Sequence, residues 1–204
     1  MKKFICAIVI VAAMVPSAWA QASTPLQTVE KNVKQLLAVL GDQTLTGPAG
    51  EQKKKAAIES IAGDLFDFTE LSRFALGANW RRFSPEQQKT FVGLYRQLLQ
   101  SIYMGRLLQY KDEKVVFKSE ADLSPTRSEV LTDIVASGGN IPIDYRMVKK
   151  DGVWKVYDLI IEHASLASNY RAQFNSILDK NSPDKLLDML RAKVKEEASS
   201  ASSS

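Results

Sequence analysis

Apolar side chains recur along this chain in two rhythms, a helical one at either end and a strand-like one between them. Leu26, Val29, Val33, Leu36, Leu37 and Leu40 follow the three-to-four-residue spacing of a helix face. Thr24 can cap that helix, Pro25 suits its first turn, and Gln27 completes a capping box. Residues 41–50, bounded by glycines, read as a loop before a shorter helix with Ile58, Ile61 and Leu65 on one side. Asp67 and Glu70 form a second box, opening a helix that carries Phe68, Leu71 and Phe74 and stops at Gly77. Ser84-Pro85-Glu86-Gln87 starts the longest helix, which runs to about Gln109, roughly 36 Å at 1.5 Å per residue. Its stripe of Phe91, Leu94, Tyr95, Leu98, Leu99, Ile102, Tyr103 and Leu107 needs a large apolar partner.

The strand rhythm supplies one. Residues 114–118, 128–136, 141–149 and 153–162 alternate apolar and polar positions, which predicts four strands. Gly138-Gly139 and Asp151-Gly152 are two-residue hairpin turns, so the strands they join run antiparallel. Turns of that length place Val130, Thr132 and Ile134 on one face with Ile143, Tyr145 and Met147, and with Val156, Asp158 and Ile160. The opposite face carries Asp133, Asp144, Arg146 and Lys155, mixed with Leu131, Tyr157 and Leu159. The long helix is expected against the apolar face. A helix over 166–178 and another opened by Ser182-Pro183 follow, giving an α+β domain over residues 21–197. The serine-rich stretch 198–204 reads as a disordered tail.

The first twenty residues stand apart from this pattern. Lys2 and Lys3, the apolar run 4–15 and Ala18-Trp19-Ala20 form the three parts of a secretory signal, with cleavage expected after Ala20. The run is too short to span a bilayer, which takes about 20 residues. Cys6, the only cysteine, leaves with the leader, so the mature fold holds without disulfides and without a lipid-anchored cysteine. Two lysines leave as well, and the net charge of +4 falls to +2. Export and dispersed charge argue against nucleic acid as a partner.

Catalytic signatures are sparse. The chain has no G-x-S-x-G, no H-E-x-x-H and no glycine-rich phosphate loop. His163 is its only histidine, which leaves no histidine-based metal site. Ser182-Pro183-Asp184-Lys185 has the S-x-x-K spacing of some hydrolases, yet it equally makes a helix start with a serine cap. Asp158 is the strongest candidate for chemistry: opposite Tyr145 on an apolar face, its carboxyl could act as a general base. Pairing with an arginine, or capping of backbone N–H groups, is the structural alternative. Arg146 and Arg171 could meet a phosphate or a partner, or belong to solvated surface.

Several separated blocks carry a resemblance. Phe66-Asp67-Phe68 and Leu71-Ser72-Arg73-Phe74-Ala75-Leu76-Gly77 lead to Trp80-Arg81 and then to Ser84-Pro85-Glu86-Gln87 with Phe91, Leu94 and Tyr95. Later come Ile141-Pro142-Ile143-Asp144-Tyr145-Arg146-Met147, Trp154-Lys155-Val156-Tyr157-Asp158, Ser165-Leu166, Asn169-Tyr170-Arg171 and Gln173-Phe174. This order, from about Leu65 to Leu190, resembles the MlaC or toluene-tolerance family of periplasmic phospholipid carriers in Gram-negative bacteria. One departure stands out: His163 occupies a position where that family often has glycine.

The resemblance implies a curved sheet similar to that of nuclear-transport-factor-like (NTF2-like) domains, with helices enclosing an apolar cavity for acyl chains. It implies no catalytic residue, metal or cofactor beyond phospholipid as cargo. It also implies two partners: an outer-membrane lipoprotein–porin complex, and an inner-membrane ABC transporter whose subunit carries an MCE domain. On the helix and strand faces read above, Tyr95, Leu98, Ile102, Tyr103 and Leu107 should face Val130, Ile134, Ile143, Tyr145, Met147, Val156 and Ile160 across the cavity. An exported enzyme of NTF2-like fold using Asp158, and a periplasmic adaptor that binds only proteins, are the competing readings.

Overall fold

The computed structural model describes residues 23–110, 113–136 and 139–201. The leader read over residues 1–20 and Gly138 of the first hairpin turn lie outside the described residues. Helices α1 (Pro25–Gly41), α2 (Gly47–Leu65), α3 (Phe68–Leu76) and α4 (Pro85–Leu108) come first. Strands β1 (Lys114–Ser124), β2 (Arg127–Ala136), β3 (Gly139–Lys150), β4 (Val153–Ile161) and β5 (Ala164–Ser165) follow, then α5 (Leu166–Leu178) and α6 (Pro183–Ala201). The sheet is antiparallel in the order β1-β2-β3-β4-β5. The α+β class stands, with five strands rather than four, because the chain turns back for two residues before entering α5.

Local chemistry explains most element ends. Thr24 and Ser84 each accept from the N–H three residues on, while Gln27 and Gln87 reach back, so both capping boxes form. Asp67 caps α3 through the Glu70 N–H, but Glu70 turns its own carboxylate to Lys150, 3.0 Å away. Helix α2 starts at Gly47 and is longer than its glycine-rich sequence suggests. Gly50 lies inside it because a Cβ there would stand 2.4 Å from the Leu45 carbonyl carbon. Helix α6 continues to Ala201, past the point where the serine content suggests disorder.

The β2–β3 register places Val130 opposite Tyr145, Thr132 opposite Ile143 and Ile134 opposite Ile141. Relative to a Gly138-Gly139 turn this is a slip of two residues, which preserves the faces. On β4 a bulge changes them. Met147 pairs with Val156, but Arg146 pairs with Asp158, so Tyr157 is the extra residue. Beyond it Leu159 and Ile161 take the face shared with Tyr145 and Ile143, while Asp158 and Ile160 move to the face of Arg146 and Asp144. The expected pairing of Asp158 with Tyr145, and the expected place of Ile160, are thereby corrected.

The helix that covers the apolar face is also different. Val29 and Val33 of α1, with Leu65 at the end of α2, bury Val130, Met147, Trp154 and Val156. Helix α4 packs instead on α3 and α6 and makes aromatic contacts with α5. Phe91, Tyr95, Tyr170 and Phe174 meet at centroid distances of 5.1–5.7 Å there, mostly edge to face. Each such fully buried aromatic or leucine contributes about 1.5–3 kcal/mol, and apolar periodicity alone cannot say which of several stripes takes which partner.

The β4–β5 turn explains the departure at His163. Glu162 and His163 adopt φ of 49° and 67°, the left-handed pair that a two-residue type I′ hairpin requires between Ile161 and Ala164. A non-glycine residue there costs about 1–2 kcal/mol, part of which glycine would return as unfolded-state entropy. His163→Gly is expected to stabilise the domain by about 0.5–1 kcal/mol, read as an upward shift of the urea midpoint at constant m-value.

Candidate functional site

The apolar interior is built as two clusters. One lies among α3, α4, α5 and α6, with Tyr95, Leu98 and Leu99 of α4 buried and Ile102 and Tyr103 half-buried against it. The other lies between the sheet and α1, with Val130, Met147 and Val156 buried and Tyr145 half-buried. Leu159 packs against both and marks their seam. The twelve-residue constellation read from the sequence is thus divided. Its α4 members and its sheet members do not face each other directly, because α1 occupies the sheet face. Leu107, Ile134 and Ile143 are half-buried and belong to neither cluster, and Ile160 is buried on the opposite face. Leu159 was missed in sequence because strict alternation assigns it to the polar face.

Two phenols mark this interior. Burial pushes the Tyr145 phenol up to about 12, which keeps it a neutral hydroxyl. Burial, with the neighbouring Tyr170 and Asp158, pushes Tyr95 up further still. The Tyr95 hydroxyl is buried, and among the described residues it has no hydrogen-bond partner. Such an orphan costs about 1–3 kcal/mol. A deeply placed ligand acceptor would satisfy it.

Asp158 is wholly buried, yet its carboxylate is fully engaged. Oδ2 accepts from the Ser165 hydroxyl at 2.6 Å and lies 3.7 Å from Arg146 Nη1. Oδ1 accepts from the Ala167 N–H at 3.0 Å. Ser165 in turn caps α5 through the Ser168 N–H. The carboxylate therefore fixes the start of α5 to β4, with its negative charge at the helix N-terminus. Tyr145 is across from Leu159, so the acid–phenol pair expected for general-base chemistry is not assembled. Arg146 is occupied too, since it also bonds Glu129 at 3.1 Å.

The remaining candidates resolve structurally. The Ser182 hydroxyl accepts from the Lys185 N–H, so S-x-x-K is a helix start. His163 sits in the exposed β4–β5 turn. Among the described residues no cluster of three His, Cys, Asp or Glu could hold a metal ion, and no helix is long and apolar enough to cross a membrane.

Substitutions at two positions test these assignments. Asp158→Ala strands the Ala167 N–H and removes a charge-assisted anchor, so it should destabilise by about 2–3 kcal/mol in urea denaturation. Asp158→Asn, which keeps an acceptor, should cost less. Tyr95→Phe removes an unpaired buried hydroxyl and should raise the stability of lipid-free protein by about 1 kcal/mol, measured by the same titration.

Comparison with known proteins agrees with this architecture. The family model described as MlaC protein matches residues 30–192. The chain is 27% identical over 139 residues to the intermembrane phospholipid transport system binding protein MlaC of Haemophilus influenzae, a match covering 64% of this chain and 65% of that protein. It is 22% identical over 165 residues to toluene tolerance protein ttg2D of Pseudomonas putida, covering 80% and 77% of the two chains. The solved structure of a phospholipid-binding protein from Ralstonia solanacearum, in complex with a phospholipid, superposes with a TM-score of 0.78 at 27% identity. That superposition covers 86% of this chain and 99% of the other. With a family model matched over most of its length and a shared fold, this chain belongs to the MlaC family.

Proposed function

We propose that this protein is a periplasmic phospholipid carrier, exported by its leader, which holds acyl chains in its apolar interior. The observation that carries the reading is the likeness, over 99% of its length, to a protein solved with a phospholipid bound. Physical reasoning supports it. At about 0.8 kcal/mol per methylene, two acyl chains of roughly 30 methylenes would cost about 24 kcal/mol to expose to water. A carrier must enclose the tails and can leave the charged headgroup wet.

The tails enter at the seam marked by Leu159. On this reading Tyr95, Leu98, Ile102 and Tyr103 of the helical cluster and Val130, Tyr145, Met147 and Val156 of the sheet cluster would line the two sides once the seam opens. Loading requires the helical layer and the sheet to part, since each cluster is packed by its own helices. The activity is binding and hand-over rather than catalysis, consistent with the engagement of both Asp158 oxygens. The partners follow from that role: an outer-membrane lipoprotein–porin complex on one side, and an inner-membrane ABC transporter with an MCE-domain subunit on the other.

Native mass spectrometry of protein purified from cells, followed by lipid extraction, tests the carrier. Co-purified phospholipid is the expected result; a protein that stays empty, even after incubation with phospholipid vesicles, would overturn it. Leu98→Trp fills space on the helical side at a cost of about 1–3 kcal/mol. It should lower lipid loading while circular dichroism still reports a folded domain. Undiminished loading would remove Leu98 from the site.

A further inference from the structure

A cleft of about 180 Å³ lies between α3, the first residue of β2, the β4 bulge and α5. Three guanidinium groups line it, those of Arg73, Arg127 and Arg171, against the single carboxylate of Glu70, a local net charge of +2. Their placement is built rather than incidental. Arg171 donates to the Phe74 carbonyl from Nε at 2.8 Å and from Nη2, and lies 4.2 Å from the Phe74 ring centroid. Arg127 lies 4.7 Å from the Tyr157 ring centroid, and Tyr157 meets Phe74 edge-on at 5.6 Å. The two arginines thus lie over two rings that touch each other, Phe74 of α3 and Tyr157 of the β4 bulge. Gly77, at φ 54°, makes room, since a Cβ there would stand 3.3 Å from Arg171 Nε.

The charge of this cleft is poorly compensated. Arg73 pairs with Glu70 at 3.1 Å, but Glu70 is also held by Lys150. Arg127 and Arg171 have no carboxylate partner among the described residues. An arginine has five N–H donors, and Arg171 directs only two of them at the Phe74 carbonyl. Planar forks held on rings lose little further freedom on binding, and they match the oxygens of a phosphate in bidentate fashion. A recessed cleft with three such forks suits one compact oxyanion better than the broad acidic face of a protein.

We propose that Arg73, Arg127 and Arg171 form a phosphate-binding site on the surface of this domain. Its occupant is a phosphate group, either the headgroup phosphate of the cargo or free phosphate. Only the headgroup source rests on the carrier reading above.

The test uses the full mature chain, delipidated and lipid-loaded, with Arg127→Gln as the main variant because its side chain makes no bond that the fold requires. Inorganic phosphate is titrated at constant ionic strength against chloride while the arginine Nε–H resonances are followed by NMR. Saturable shifts at Arg73, Arg127 and Arg171 that chloride does not produce are expected, with affinity reduced about tenfold or more in Arg127→Gln. If the headgroup is the source, lipid loading abolishes the phosphate titration, and the ³¹P signal of bound lipid differs between wild type and variant. If free phosphate is the source, loading leaves the titration intact. Absence of selective shifts in both forms overturns the site while leaving lipid co-purification, and so the carrier, untouched. Selective phosphate binding by a protein that takes up no lipid keeps the site and removes the carrier. Loss of binding to an acidic partner protein in Arg127→Gln, with no selective phosphate shifts, would make the cleft a docking surface and overturn the proposal.

Discussion

The attachment of the helical layer to the sheet depends on one buried carboxylate. Asp158 lies immediately after the β4 bulge, and its oxygens reach the Ser165 hydroxyl, the Ala167 N–H and the Arg146 guanidinium. Without Tyr157 as an extra residue it would fall on the face shared with Tyr145, away from α5. The bulge therefore does two things at once. It turns the acid toward the N-terminus of α5, where its charge is favourable, and it brings Leu159 to the seam between the two apolar clusters. An unpaired carboxylate at such depth would be costly. Fully engaged, it becomes an anchor for a helix that carries Tyr170 and Phe174 into the core.

That anchoring shapes how the interior can respond to cargo. Two clusters, each closed by its own helices, can separate along a seam without either losing its internal packing. A single continuous core would have to break everywhere at once, given the density of native packing. The unsatisfied Tyr95 hydroxyl lies in the helical cluster near Asp158. An unmet polar group at that depth is a standing cost to the lipid-free form, and an ester or carbonyl oxygen of a bound lipid would relieve it. On the carrier reading, this lowers the energy of the loaded state relative to the empty one.

Much of the fold was legible because it is written in local chemistry. Thr24 with Gln27, Ser84 with Gln87, and Asp67 each announce a helix start through side-chain bonds that need no tertiary context. The faces of β2 and β3 survived even a two-residue slip in register, since side chains alternate with period two. What could not be read was non-local. A bulge adds one residue without any residue type demanding it, so Asp158, Leu159 and Ile160 were all assigned to the wrong face. Pairing of stripes was equally opaque: α1 and α4 both present leucine-rich faces, and only the folded chain shows that Val29 and Val33, rather than Leu98 and Ile102, meet the sheet. The family blocks were recognisable in order, yet a block says nothing of which side chains share a cavity.

The arginine cleft and the apolar seam divide two tasks that a carrier must keep separate. Apolar burial is strong but indiscriminate, because one methylene contributes much as another does, at about 0.8 kcal/mol. It can hold a lipid without fixing which end leads. Charge-assisted hydrogen bonds are directional, and at an exposed rim they are weakened by water and salt. A phosphate bound by Arg73, Arg127 and Arg171 would therefore add orientation more than affinity. This division favours release: a partner presenting its own anion at the rim could free the headgroup first, before the tails leave their enclosure. The β4 bulge places Tyr157 beneath Arg127 and Leu159 at the seam, two residues apart. The same local irregularity that anchors α5 thus contributes Tyr157 to the arginine cleft and Leu159 to the seam.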